Sequence, residues 1–274
     1  MSRINPSGLV ALLLCLTGLG SRGEQPIFSE MPRWDNGWGF QLIQEYRNER
    51  NLLLGDTVVG PGFSEDIHLL HLEGVYTWDK SVRVTFKLPY VVDARREMLA
   101  IGGGKFVQHD EGIGDPTVAV PLKRYFNLDG RSGSWTLAPQ IRIPLADDDA
   151  YAVFDHQWGN GLSVGYETET YRFKFGAGAT GWVFYGEDAA ELSGNVDVGC
   201  NLRAFGSNGH FKWANRFHYE DDGAFTISVG PVLYWRFTDT IHGQVDWLHD
   251  ISDRQGQLDH GNGNAVRVGV GFVF

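Results

Sequence analysis

The chain has 274 residues, with 36 glycines, 13% aromatic residues and a formal net charge of −11. That length suits one large all-β domain and requires no second one. The acid excess argues against a nucleic-acid partner, which needs a basic surface. A mean hydropathy of −0.23 argues against apolar membrane helices but allows a barrel that shows lipid only every second residue.

The N-terminus reads as a secretory signal. Arg3 gives a positive start, and residues 9–16 form an apolar run too short to span a bilayer. Gly18 with Gly20, or Ser21 with Gly23, supplies small residues for cleavage. Leu14 precedes Cys15 where a lipidation box wants a small residue, so no lipid is expected there. Loss of 1–23 also removes Arg3 and Arg22, which makes the rest more acidic. Cys200 is then the remaining cysteine, and one thiol forms no internal disulfide. The expected organisation is a signal peptide over 1–23 and a barrel over 24–274.

Beyond it the chain alternates. Twelve runs are predicted as strands: 36–48, 65–78, 80–90, 113–126, 134–145, 160–168, 170–183, 191–203, 209–219, 224–237, 239–251 and 264–274. The clearest is Ser81-Val82-Arg83-Val84-Thr85-Phe86-Lys87-Leu88-Pro89-Tyr90. Its even positions are apolar or aromatic, and its odd positions, apart from Pro89, are polar. Successive side chains on a strand point to opposite faces, so this run is two-faced. An even strand number suits a bacterial single-chain barrel. Connections alternate as well. Trp78-Asp79-Lys80 and Phe237-Thr238-Asp239 are tight, whereas 49–64, 91–112, 146–159 and 252–263 are long. Short periplasmic turns against long external loops give that sorting.

Alternation alone does not say which face is inside. Twelve strands around an apolar lumen would leave more space than side chains fill, since about eight strands is the limit. The apolar face is therefore assigned to lipid. Aromatics near strand ends, among them Trp38, Tyr76, Trp78, Trp135, Tyr166 and Trp235, suit the headgroup level. Phe274, an aromatic ending the last alternating strand, is expected to act as the signal read by the barrel-assembly machinery. The predicted class is a single all-β, antiparallel, up-and-down transmembrane barrel in the bacterial outer membrane, touching lipid and lipopolysaccharide.

Leu88-Pro89-Tyr90, a long connection, and then Gly112-Ile113-Gly114-Asp115-Pro116-Thr117 resemble a pattern of the outer-membrane proteins grouped as the MetA-pathway of phenol degradation family. Arg142-Ile143-Pro144-Leu145 resembles the strand that follows. The chain departs from the pattern at Ala146-Asp147-Asp148-Asp149, where many members carry Thr-Gly, and at Pro121 inside the run 118–126. The resemblance implies a barrel with a transport role and carries over no catalytic residue.

Several constellations carry residue types that could do chemistry. Gly161-Leu162-Ser163-Val164-Gly165 fits a nucleophile-elbow pattern, but Ser163 lies in an alternating strand with no helix after it. A barrel phospholipase would need His-x-Ser, and no histidine is followed two residues later by serine. His68 with His71, and His242 with His249, have odd spacings that split each pair between two faces, so no metal site is expected. Ile101-Gly102-Gly103-Gly104-Lys105 lacks the remaining residues of a phosphate loop. No cofactor is expected. The acidic runs 147–149, 187–188 and 220–222 read as solvated external segments.

The inward phase is the richest set. It carries Arg83, Lys87, Lys123, Arg142, Arg172, Lys174, Lys212, Arg216, Arg236 and Arg267, with fewer acids: Glu45, Glu73, Glu167, Asp197, Asp246 and Asp250. These residues, Glu73 and Asp246 included, are predicted to line a solute path with a basic excess. The acid surplus is assigned to loops. The expected function is passive passage of a small solute, with aromatic and anionic compounds as candidates. A structural barrel with a plugged lumen and a barrel lipid hydrolase stand as alternatives.

Overall fold

The computed structural model describes Trp34 and residues 36–54, 57–99, 104–128, 130–147, 151–185, 190–220, 223–255, 258–260 and 263–274. The expected signal segment, residues 101–103, Asp148, Asp149, Glu187, Asp188, Asp221 and Asp222 lie outside the described residues.

The chain forms one closed antiparallel barrel. In chain order the strands are β1 (Gly37–Leu54), β2 (Thr57–Asp79), β3 (Val82–Leu99), β4 (Lys105–Ile113), β5 (Thr117–Ala119), β6 (Leu122–Leu128), β7 (Arg131–Arg142), β8 (Gly159–Glu169), β9 (Phe173–Phe184), β10 (Ala190–Asn201), β11 (Gly209–Glu220), β12 (Ala224–Arg236), β13 (Ile241–Gln255), β14 (Leu258–His260) and β15 (Asn264–Val273). Each long strand pairs with its neighbours in sequence, and β15 returns to β1 from Gly39↔Val273 to Asn48↔Asn264. Phe274 extends the seam, its N–H donating to the Trp38 carbonyl at 2.9 Å. Twelve staves result, because β4, β5 and β6 together make one stave between β3 and β7, and β14 is a short addition beside β1 and β13.

The broken stave has a local cause. Pro116 and Pro121 have no N–H to give a ladder, so the strand stops at each of them. Single hydrogen bonds hold the pieces in place: Val120 N–H to the Pro139 carbonyl, Lys123 N–H to Ser81, and Ile143 N–H to Pro116. The predicted run 113–126 is thus two short strands rather than one.

The two faces sort by phase. Leu42, Phe86, Leu137, Val164, Val196, Leu233 and Val268 are exposed on the outer surface, whereas Gln41, Thr85, Thr136, Ser163 and Asn195 are buried inside. Aromatic clusters sit on the outer face near the short-turn end. Tyr76 lies 4.8 Å from Trp38 and 4.9 Å from Trp78, and Trp135 lies 4.5 Å from Tyr166. That placement matches an interfacial girdle.

The long connections differ from expectation. Segments 49–64 and 91–112 are largely paired strand, with ladders reaching Leu54↔Thr57 and Leu99↔Lys105. Above the lipid both faces meet water, so the apolar alternation fades while the backbone ladder continues. A bulge between Val91 and Ala94 also shifts the phase of β3. Within the described residues of 143–158 no strand forms.

Candidate functional site: the barrel lumen

The described residues between β7 and β8 turn into the barrel. Tyr151, Val153, Phe154 and Ala146 are buried against Ile67 and Leu69 of β2 and Val91 and Ala94 of β3. Those four strand residues face inward, because Leu72, Tyr90 and Val92 on the same strands are exposed outward. The lumen is therefore narrowed here by an apolar contact between wall and insert.

Polar groups lock that contact. Asp115 is fully buried, and its Oδ1 accepts the N–H groups of Leu145 and Ala146, each at 2.9 Å. The Asp110 carboxylate accepts the Val153 N–H at 2.7 Å. Tyr151 donates to Glu65 at 2.9 Å, and Arg96 donates to the same oxygen through Nε and Nη2 at 3.0 and 2.8 Å. The Arg96 guanidinium lies 4.2 Å from the Tyr151 ring, a cation–π geometry. Burial, with Glu65 beside it, pushes the Tyr151 phenol far above its ordinary range, so it remains a donor. Gly114 makes room for the Phe154 ring, since a Cβ there would stand 2.4 Å from the ring. The Gly112-Ile113-Gly114-Asp115 motif thus seats the inserted segment.

Arg142 anchors the other side. It reaches Asp155 at 3.3 Å and Glu191 at 3.5 Å, and its guanidinium lies 5.0 Å from the Trp182 ring and 4.5 Å from Phe184. Toward the short turns the lumen widens into a cavity of about 1090 Å³. Lys123, Lys174, Lys212 and Arg236 line it, with Glu167, Asp197, His210 and Tyr234.

Most inward charges are in ion pairs. Glu45 meets Arg47, Arg267 at 3.0 Å and His71 at 2.8 Å. Asp197 meets Arg216, and Lys212 at 3.6 Å. Lys123 pairs with Glu167 at 2.9 Å, and Arg236 with Asp239 at the rim. Glu73 stands opposite Lys87, and Asp246 opposite Arg267. Arg83 is buried, its guanidinium 5.2 Å from the Trp34 ring. Arg172 is exposed in the turn between β8 and β9, outside the wall, because β9 begins only at Phe173. Lys174 lies 3.3 Å from His210 Nδ1.

The expected surplus of inward base needs correction. Glu49, Glu65, Glu191 and Asp253 are also buried. Glu65 and Glu191 are each matched to an inward arginine. Glu49, Glu65 and Asp253 lie on strand extensions where alternation is weak, and Glu191 lies at the start of its strand. Tyr151, Phe154 and Asp155, within the connection 146–159 expected outside, are inserted instead. No residue period marks a loop that folds inward, although the Gly-Ile-Gly-Asp motif marked where it is held.

The other candidates have simpler settings. Ser163 bonds Thr180 Oγ1 at 2.7 Å and accepts from Gln140 at 3.0 Å, as a wall residue would. His71 faces inward, whereas His68 lies against Tyr46 at 4.7 Å on the outer face. Among the described residues no group of three or more His, Cys, Asp or Glu could hold a metal ion.

Comparison with known proteins adds the family. The sequence model described as "Putative MetA-pathway of phenol degradation" matches residues 49–268. The chain belongs to this family. This family member is similar in fold to an outer membrane channel from Pseudomonas putida F1, with TM-score 0.70 and 14% identity over 92% of this chain and 100% of that one. It is also similar to the transport unit of the autotransporter AIDA-I from Escherichia coli, with TM-score 0.52 and 8% identity over 99% of this chain and 100% of that one. No curated protein matches it by sequence. With its closed apolar-faced wall, this family member is a barrel of the bacterial outer-membrane type.

Proposed function

We propose that this barrel is a passive channel for a small solute, with the lumen as its path. The observation that carries the reading is the polar cavity of about 1090 Å³ inside the wall, at the short-turn end of the lumen. A wall that served only as a scaffold has no need of a wet interior of that size. The match to a family named for phenol degradation, and the fold shared with a protein described as an outer membrane channel, support the reading.

The pairing of most inward charges bears on the solute. Paired charges line a path without imposing a strong net field, so aromatic and weakly anionic compounds both remain within reach. We further propose that residues 1–23 are removed on export, that β15 docks on the assembly machinery, and that the outer rim meets lipopolysaccharide. In this reading the chain acts without a catalytic residue.

Planar-bilayer recording tests the channel. Discrete conductance steps from purified barrel, with swelling of liposomes in small solutes, are the expected result. Silent bilayers from correctly folded protein would favour the plugged structural reading, which the inserted segment makes a serious second. The export expectation is checked separately. Mass spectrometry of outer-membrane protein should find a chain starting near residue 21 or 24, and unheated samples should migrate apart from boiled ones on gels. A full-length chain in the soluble fraction would refute it.

A further inference from the structure

We infer that the wide end of the lumen contains a binding site for a small organic monocarboxylate, built on Lys174, Gly199 and Lys212. The inference rests on the channel reading, since a solute reaches this site through the lumen.

The row comes from strand register. Lys174 of β9 pairs with Gly199 of β10, and Gly199 pairs with Lys212 of β11. Adjacent strands lie about 4.8 Å apart, so the two lysine backbones stand roughly 10 Å apart with glycine between them. All three positions face inward, and both lysines line the cavity. Gly199 puts no side chain of its own between them. A Cβ there would stand 2.1 Å from the Phe211 carbonyl oxygen and 2.8 Å from both Cα and Cγ of Lys212, whose stem lies across this backbone. No other residue fits without moving the strand. A carboxylate lying between the two lysine head groups on the cavity side would have an ammonium on each side.

The local charge points the same way. Lys174 has no carboxylate partner among the described residues. Its ammonium lies 3.3 Å from His210 Nδ1. A neutral imidazole can accept one of the three ammonium protons in a hydrogen bond, but it cancels no charge. Lys212 shares Asp197 with Arg216. The nearby Glu167 is engaged by Lys123 at 2.9 Å. Around the row three cations, Lys174, Lys212 and Arg216, therefore face two carboxylates, Asp197 and the Glu169 that stands opposite Lys174 in register.

An apolar body has a surface to lie beside. The His210 ring stacks on Tyr234 with centroids 4.8 Å apart and planes 15° apart, and Tyr234 leans on His242 at 5.7 Å. This ring row borders the lysines on the cavity side. A carboxylate with a small flat body uses both features, whereas an inorganic anion uses only the charge.

Calorimetric titration of the detergent-solubilised barrel with sodium benzoate, at low ionic strength, tests the site without requiring conduction. The parent should bind benzoate more tightly than chloride. Lys174→Gln should weaken benzoate binding about ten-fold or more, the scale of one lost charge-assisted hydrogen bond. Lys174→Arg should restore most of it. Each variant is first checked for the heat-dependent gel shift of the folded barrel. Equal benzoate affinity in the parent and Lys174→Gln would overturn the site, and so would a parent that conducts but does not bind. Loss in both Lys174→Gln and Lys174→Arg, with folding intact, would overturn the charge argument. Benzoate binding in a barrel that never conducts would leave the site standing and remove the channel.

Discussion

Asp115→Ala is expected to lengthen and enlarge the open events of the channel. The buried carboxylate accepts the N–H groups of Leu145 and Ala146, where the chain leaves β7 for the lumen. Alanine leaves both donors without that acceptor. Hydrogen bonds to a charged group contribute about 1.5–3 kcal/mol each. Loss of even one moves the ratio of seated to unseated segment by about ten-fold or more. The apolar contact of Tyr151, Val153 and Phe154 with the β2–β3 wall remains, so the segment should leave and return rather than stay out. Asp115→Asn keeps an acceptor oxygen and should fall between the parent and alanine. Single-channel dwell times and amplitudes read the effect directly. An Asp115→Ala barrel that folds yet records like the parent would show that the clip does not govern the path.

Arginine at Val164 should cripple insertion into bilayers, while arginine at Gly176 should be tolerated. Val164 sits mid-strand in β8, exposed on the outer face. An arginine facing lipid near the midplane costs about 2–4 kcal/mol. That is a shift of roughly thirty-fold to nearly a thousand-fold in the folding equilibrium. Gly176 faces the cavity, and a Cβ there meets Asp197 at an ordinary 3.8 Å. An arginine at that position keeps water and gains a carboxylate neighbour. Folding titrations into lipid vesicles, followed by the gel shift of the folded form, compare the two. Equal losses would mean that the faces have been assigned wrongly.

Phase was legible because lipid and water impose opposite demands on alternate residues. The run 80–90 shows this most clearly, with Val84 and Phe86 outward and Arg83 and Thr85 buried inside. Where that contrast ends, the signal ends. The ladders above the lipid, Leu54↔Thr57 and Leu99↔Lys105, carry no apolar period and were expected as loops. The break in the fourth stave was visible as Pro116 and Pro121, but its consequence was not. Only the structure shows that the chain between the prolines still pairs with β3 and β7. The charge balance of the lumen is hidden from the sequence for a related reason. Glu65 and Arg96 lie on strand extensions, and nothing in their local sequence pairs them.

A lipid-facing barrel of twelve staves was legible in the sequence, since strand period and turn chemistry are local and repeat along the chain. The path of the described residues between β7 and β8 came only from the tertiary structure. Their burial depends on Asp115, Glu65 and Arg96, which stand up to 86 residues away from their partners in sequence. The tertiary structure decided the Lys174–Gly199–Lys212 row as well, because cross-strand register between three hairpin-linked strands follows from ladder geometry rather than from any motif.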